Sequence, residues 1–285
     1  MRTILMLLVA LAAAPAAHAQ EAPPPVAAEA VGFDHAHAAF DAVLKAYVHE
    51  GGLVDYVGLA KDRAGLDAYV TGLEAVTAAE FRSWSGIQRE AFWINAYNAY
   101  TLQLILDNLP VKSIRDLGGL FSSVFSKRFI PLQHLAKVDP RGKAGTRKKL
   151  SLGEVEHDIL FPVSRTPLFH FAIVCASWSC PELRAEAYVA DRLDQQLEEQ
   201  ARIFLADASK NDLRVRDGRL RVSKIFDWSG DEFATYPGGT WQLLRDYGPA
   251  SLAADPALAK AKLRFRDYDW ALNAWTAPEG KDDRP

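Results

Sequence analysis

The sequence predicts an α+β fold in which helix outweighs strand, and three observations carry that reading. The long stretch around REAFWINAYNAYTLQLIL, opened by Ser85 and closed by Pro110, is apolar nearly all round, as a central buried helix would be. Other segments repeat apolar residues at helical spacing, whereas β-like runs are few and short. Helices interleaved with a few short strands point to a helix-rich single domain with a small β-sheet.

In chain order, residues 1–19 carry a basic Arg2, an apolar run and the ending Ala17-His18-Ala19, the pattern of a cleavable signal peptide. The expected location is therefore periplasmic or secreted. Residues 20–32, rich in Ala and Pro, read as a flexible linker, residues 33–277 as the folded domain, and residues 278–285 as a polar tail. No later run approaches the roughly 20 apolar residues of a membrane span, so no transmembrane segment is expected.

Asp34 can cap a helix to about Glu50, on which Phe40, Val43, Leu44, Tyr47 and Val48 share a face. Residues 53–59 alternate loosely as a short strand, residues 62–76 read as a helix, and Thr77 caps a short helical turn. Within the central helix Asn95 and Asn98 lie three apart on one face, where buried amides demand partners. Residues 129–132 suggest a strand. Ser151 begins a helix with Glu154 in the capping-box position and Glu156-His157 in its middle. Residues 213–222, LRVRDGRLRV, form a hairpin whose Asp217-Gly218 is a type I′ turn signal. Residues 240–247 read as a short helix and residues 263–275 as a closing strand.

The stretch FHFAIVCASWSCPEL, residues 169–183, predicts a strand-turn-helix motif: an apolar strand, a turn containing Ser177, Trp178 and Ser179, then a helix opened by Pro181. Cys180 would sit at the helix N-terminus, where unpaired N–H groups stabilise a thiolate, and Cys175 would be shielded at the strand end. Cys175 and Cys180 are the two cysteines of the chain, and a disulfide between them is the alternative.

A cysteine hydrolase needs a thiolate, a proton carrier, an orienting group and oxyanion donors. The sequence offers Cys180 as nucleophile, His157 as base, Glu156 or Asn98 as orienter, and the N–H groups of residues 176–180 as donors, with His170 a rival base. Glu156 and His157, adjacent on an α-helix, point about 100° apart, so Glu156 faces Asn95 as readily as it orients His157. Asn95, Cys175, Ser177, Trp178, Ser179 and Asp269 are expected around the pocket, where Asp269-Trp270 and Asp227-Trp228 place acids beside aromatics. The cysteines lack Cys-x-x-Cys spacing, so neither a zinc site nor a thioredoxin-like pair is expected, and no metal or cofactor is invoked. A formal charge of −3 gives no drive toward nucleic acid. The basic cluster Arg141, Lys143, Arg147, Lys148 and Lys149 reads as a solvated loop.

Four motifs in order, FWINAYNAYTLQLIL at 92–106, VEHDIL at 155–160, FAIVCASWSCPEL at 171–183 and DYDWALN at 267–273, resemble the DUF547 family across roughly residues 40–275. The resemblance implies a single domain in which the Asn-bearing helix, the Glu-His pair and the Cys turn recur together, and it brings no assigned catalytic residue. Trp178 departs from the small or basic residue usual at its position. The function expected is a cysteine-dependent hydrolase or acyl transferase acting on amide or ester bonds of a small molecule or an envelope peptide or ester. A non-enzymatic envelope-binding module with a Cys175–Cys180 disulfide is the other reading.

Overall fold

Gly86–Leu106 forms the central helix, and its sequence explains both its limits and its position. Ser85 and Gln88 make the reciprocal capping box: the Gln88 N–H donates to Ser85 Oγ at 3.2 Å and the Ser85 N–H to Gln88 Oε1 at 2.8 Å. From Glu90 to Leu106 every residue except Gln103 is buried. Such a helix has no solvent face to give up, so neighbours must cover it on all sides. Ala64–Ala75, Tyr56–Lys61, a helical stretch at residues 152–163 and the turn Ala190–Arg192 do so, while Ala38–Tyr47 packs on Ala64–Ala75. Each of Phe92, Trp93, Tyr97 and Tyr100 is fully buried, contributing about 1.5–3 kcal/mol apiece through removal of apolar surface from water.

The computed structural model describes residues 32–119, 122–139, 141–142, 145 and 148–276. The described chain from Phe33 onward forms one compact unit. The signal-peptide pattern at 1–19, all of the linker at 20–32 except Gly32, the tail at 278–285, and Lys143 and Arg147 of the basic cluster lie outside the described residues.

Helix predominates, as the sequence predicts, but the strands form three small sheets rather than one. Val48–His49 pairs antiparallel with Leu53–Val54, and Arg128–Ile130 with Leu150–Ser151. Asp212–Arg216 and Arg219–Val222 form the hairpin, joined in parallel by Lys262–Phe265. Asp217 (φ 51°) and Gly218 (φ 65°) both adopt the left-handed backbone that a type I′ turn requires. The strand expected over 53–59 ends at Val54, because Asp55 caps the helix Tyr56–Lys61 by accepting from the Gly58 N–H at 2.7 Å. The closing strand expected to Trp275 stops at Phe265, and the chain continues irregularly toward the cysteines.

The strand-turn-helix motif at 169–183 is not present. Pro167–Phe171 is a 3₁₀ turn capped by Thr166, residues 172–174 belong to no sheet, residues 181–189 form no helix, and the next α-helix begins at Leu193. Leu168 to Phe171 are all buried, and a run buried on every side has no periodicity to separate strand from helical turn. Thr166-Pro167, a capping residue before a proline, was the local signal for the turn.

Candidate active site

The cysteine segment is held from two sides. From the central helix, Asn98 donates through Nδ2 to the Ala172 carbonyl at 2.9 Å and accepts from the Val174 N–H at 2.9 Å. One turn earlier Asn95 treats Tyr188 the same way, donating to its carbonyl at 2.7 Å and accepting from its N–H at 3.0 Å. Each amide thus occupies one donor and one acceptor of irregular backbone that has no sheet to satisfy it. From the C-terminal segment, the Trp178 N–H donates to the Ala271 carbonyl at 2.8 Å and the Ser179 N–H to that of Asp269 at 3.1 Å. Asp269 returns its own N–H to Ser179 Oγ at 2.9 Å. Between these anchors Ala176 is held at φ 55°, a conformation costly for a residue with a Cβ.

This frame turns the sulfurs toward each other. Cys175 and Cys180 are free thiols with Sγ atoms 2.9 Å apart, well beyond the 2.03–2.05 Å of a covalent bond. Cys175 Sγ also lies 3.0 Å from Ser177 Oγ and 3.2 Å from Tyr268 Oη, and those two hydroxyls are 3.1 Å apart. Burial alone raises the Cys175 thiol, but its hydrogen bonds with Cys180, Ser177 and Tyr268 outweigh it and hold the thiol below its ordinary value. Cys180 is buried, and burial together with the neighbouring Cys175 sulfur pushes its thiol well up. The helix N-terminus expected at Pro181 to stabilise a Cys180 thiolate is absent, and the hydroxyls of Ser177 and Tyr268 gather at the Cys175 sulfur instead.

The cavity that the sulfurs line also holds a chain of carboxylates and imidazoles. His170, buried on its 3₁₀ turn, lies with Nε2 2.6 Å from Glu232 Oε2 and Nδ1 3.3 Å from Glu156 Oε1. Glu232, on the short helix Gly230–Phe233, also holds His157 Nδ1 at 2.8 Å through its other oxygen. Burial works to lower the His170 pKa, but the two carboxylates more than compensate and raise it. His157 is raised chiefly by its bond to Glu232. Glu232, against its burial, is held down to about 2 by the two imidazoles.

Glu156 and His157 both reach this wall because Glu154–Leu160 winds as a π-helix, with the Phe161 N–H bonded to the Glu156 carbonyl five residues back. Pro162 has no N–H with which to continue the tighter ladder. Ser151 and Glu154 make the expected capping box at 3.2 and 2.9 Å. Glu156 consequently orients His170, and neither it nor Asn98 orients His157; Asn95 faces Tyr188 instead of Glu156.

The two walls enclose a cavity of about 500 Å³ lined by Cys175, Cys180, Glu156, His157 and His170, with Tyr97, Ile173 and Ile225 supplying apolar surface. Trp228, Tyr268, Trp270 and Arg115 complete the lining. Ser177 reaches Cys175 from behind. Trp178 is exposed and borders a smaller cavity of about 120 Å³ on the other side of Cys180, together with Ser177. Ser179 and Asp269 bond each other as anchors, and Asn95 and Asn98 are clamps rather than pocket walls. Of the N–H groups expected as oxyanion donors at 176–180, those of Trp178, Ser179 and Cys180 already donate to the carbonyls of Ala271, Asp269 and Ser177. Among the described residues no group of three or more His, Cys, Asp or Glu side chains has metal-ligand geometry.

Residues 81–205 match the family described as "Protein of unknown function, DUF547". Over that span the chain is similar to DUF547 proteins. No curated protein and no solved structure matches it. The DUF547 span contains the central helix, the Glu-His pair and both cysteines, but Glu232, Tyr268 and Trp270 lie beyond it and Arg115 lies between its motifs. Of these, Tyr268 was legible only as a member of the DYDWALN motif, whereas Trp270 was also read beside Asp269 as part of the pocket. Nothing in the sequence around Glu232, WSGDEF, distinguishes it from an ordinary surface acid, because its role comes entirely from the two histidines brought to it.

Proposed function

We propose that this protein is a cysteine-dependent hydrolase or acyl transferase acting on amide or ester bonds, with Cys175 as the nucleophile. The observation that supports this most is the set of three hydrogen-bonding partners, Cys180, Ser177 and Tyr268, within 3.2 Å of the Cys175 sulfur on a cavity wall, from which a Cys175 thiolate would accept. A thiolate held there adds to a substrate carbonyl carbon, forming a C–S bond and moving the carbonyl electron pair onto oxygen. Collapse of that adduct breaks the C–N or C–O bond, and the leaving group takes a proton from the His157 imidazolium. Water, or an acceptor alcohol or amine, then attacks the thioester, gives its proton to the now neutral His157, and returns Cys175 as thiolate. Glu232 holds His157 by Nδ1, which leaves Nε2 for this transfer, while His170, gripped by Glu156 and Glu232, acts as a fixed positioning charge.

Acid-quenched reaction with p-nitrophenyl acetate, followed by peptide mapping, tests the proposal: the acetyl group is expected on Cys175. Acetylation confined to Cys180, or none, overturns it. The contact between the two sulfurs favours the second reading, a binding module closed by a Cys175–Cys180 disulfide. Recovery of that disulfide as the sole native species, in protein that binds a ligand without turnover, supports it instead. We further propose that the protein acts outside the cytoplasm, on the strength of the 1–19 pattern. Intact mass of the exported protein is expected to begin at Gln20 or Glu21, and a retained Met1 overturns this.

A further inference from the structure

One side of the cavity has a composition that nucleophile and proton carrier do not explain. Trp228, Tyr268 and Trp270 form a triangle of rings with centroids 4.7, 5.4 and 4.5 Å apart. Trp228 is half exposed although it is a large apolar surface, so its face is available. The guanidinium of Arg115, from the turn Ile114–Leu117, sits 5.3 Å over the Trp270 ring. Arg115 is exposed at the cavity and forms no salt bridge with a carboxylate among the described residues. The triangle is physically continuous with the reacting atom, since Tyr268 Oη touches Cys175 Sγ.

We propose that Arg115 and this aromatic triangle form a specificity subsite for a substrate whose acyl group carries a carboxylate on an apolar or aromatic body, an inference that rests on Cys175 being the nucleophile. A flat body lies against Trp228 and Trp270 with little desolvation penalty, because those faces are apolar. A guanidinium stacked on a ring is held in plane, and its free N–H edge matches the two oxygens of a carboxylate. The rest of the lining argues for carboxylate over phosphate. Arg115 is the one Lys or Arg among the cavity's described lining residues, and the opposite wall contributes Glu156, with Glu232 behind the histidines. A dianion would face more repulsion from these carboxylates, whose charge already holds the two imidazoles, and at the aromatic triangle it would have Arg115 alone to offset it.

Two thiol reagents of similar shape and different charge test this on the reduced, full chain: dithiobis(nitrobenzoate), a disulfide with one carboxylate on each ring, and neutral dithiodipyridine. The ratio of their rates at Cys175, assigned by peptide mapping, is expected to fall about tenfold in Arg115→Gln, equivalent to one lost charge-assisted contact. The ratio is expected to be unchanged in Arg219→Gln on the exposed hairpin, which alters net charge equally. Phenylpropionate is expected to protect Cys175 from dithiodipyridine more strongly than phenyl phosphate does, and Trp228→Leu to weaken that protection severalfold. An unchanged ratio in Arg115→Gln, an equal fall in Arg219→Gln, or stronger protection by phenyl phosphate overturns the subsite and leaves Cys175 as nucleophile. Labelling of Cys175 by both reagents no faster than a free cysteine overturns the nucleophile, and the subsite with it.

Discussion

On the sulfur side of the cavity, two thiols and two hydroxyls surround a single site of negative charge, and the groups come mostly from irregular backbone held by amide clamps. On the opposite side, two carboxylates and two imidazoles alternate along a chain, carried by a 3₁₀ turn, a π-helix and a short α-helix. The first wall stabilises an anion by directing neutral dipoles at it, and burial opposes that stabilisation. The second pairs full charges, so each group secures the ionised form of its neighbour. The sulfur wall therefore depends on backbone position, whereas the charged wall depends on pH.

The strongest way to break this contrast is to exchange the two sulfurs' roles. Iodoacetamide at pH 6–7 is expected to label Cys175 on the order of a hundredfold faster than Cys180. Cys175→Ala is then expected to leave the protein nearly inert, while Cys180→Ala slows Cys175 labelling by removing a donor. Mass mapping of singly labelled protein checks this, and faster labelling of Cys180 contradicts the choice of Cys175 as nucleophile.

Position, rather than charge, is probed by Asn98→Leu. It strips partners from the Ala172 carbonyl and the Val174 N–H, both next to the sulfur wall, and is expected to cost about 3 kcal/mol in urea unfolding. A loss below about 1 kcal/mol, with Cys175 reactivity intact, means the clamp does not position the thiol.

The charged wall is sharpened by Glu232→Gln. Glu232 has its folded pKa depressed to about 2, so its contribution is present above its unfolded value near 4.5 and disappears as pH falls toward 2. His157 and His170 are raised, so theirs is present below 6.5 and is lost as pH rises through their folded values. The variant is expected to lose most stability between about pH 4.5 and 6.5, on the order of 2 kcal/mol after allowing for solvent screening. A loss that does not vary with pH excludes the paired-charge account.

A carboxylate away from both walls gives the smallest effect and the opposite slope. Glu90, in the first turns of the central helix, is buried with neither oxygen hydrogen-bonded, and burial pushes it up to about 7 against the attraction of Arg165. A raised carboxyl favours the native state only while protonated, so stability declines as pH rises from about 4.5 to 7. Glu90→Gln is expected to gain about 1–2 kcal/mol at pH 8 and nothing at pH 4, read from urea midpoints across pH. A loss at pH 8 shows that Arg165 stabilises the charged form more than burial opposes it.

Much was legible in the chain. Ser85 announced the start of its helix, Ser151 with Glu154 a capping box and Asp217-Gly218 a turn, because those interactions close within a few residues. The long apolar run declared a central helix, and Asn95 and Asn98 within it declared that they needed partners, since a buried amide without one costs about 1–3 kcal/mol. The cysteine turn also stood out as the place for chemistry.

What the sequence determined alone, then, was local hydrogen bonding, the central helix and the set of residue types available near Cys175. Tertiary structure alone decided which sulfur the Ser177 and Tyr268 hydroxyls gather at, that His170 rather than His157 meets Glu156, that Glu232 joins the two histidines, and that Tyr268 and Arg115 line the cavity. The physical reason is range. A cap or a type I′ turn is written in neighbouring residues, but a thiol's ionisation is set by dipoles and burial supplied from segments as distant as Tyr268, which periodicity does not reveal.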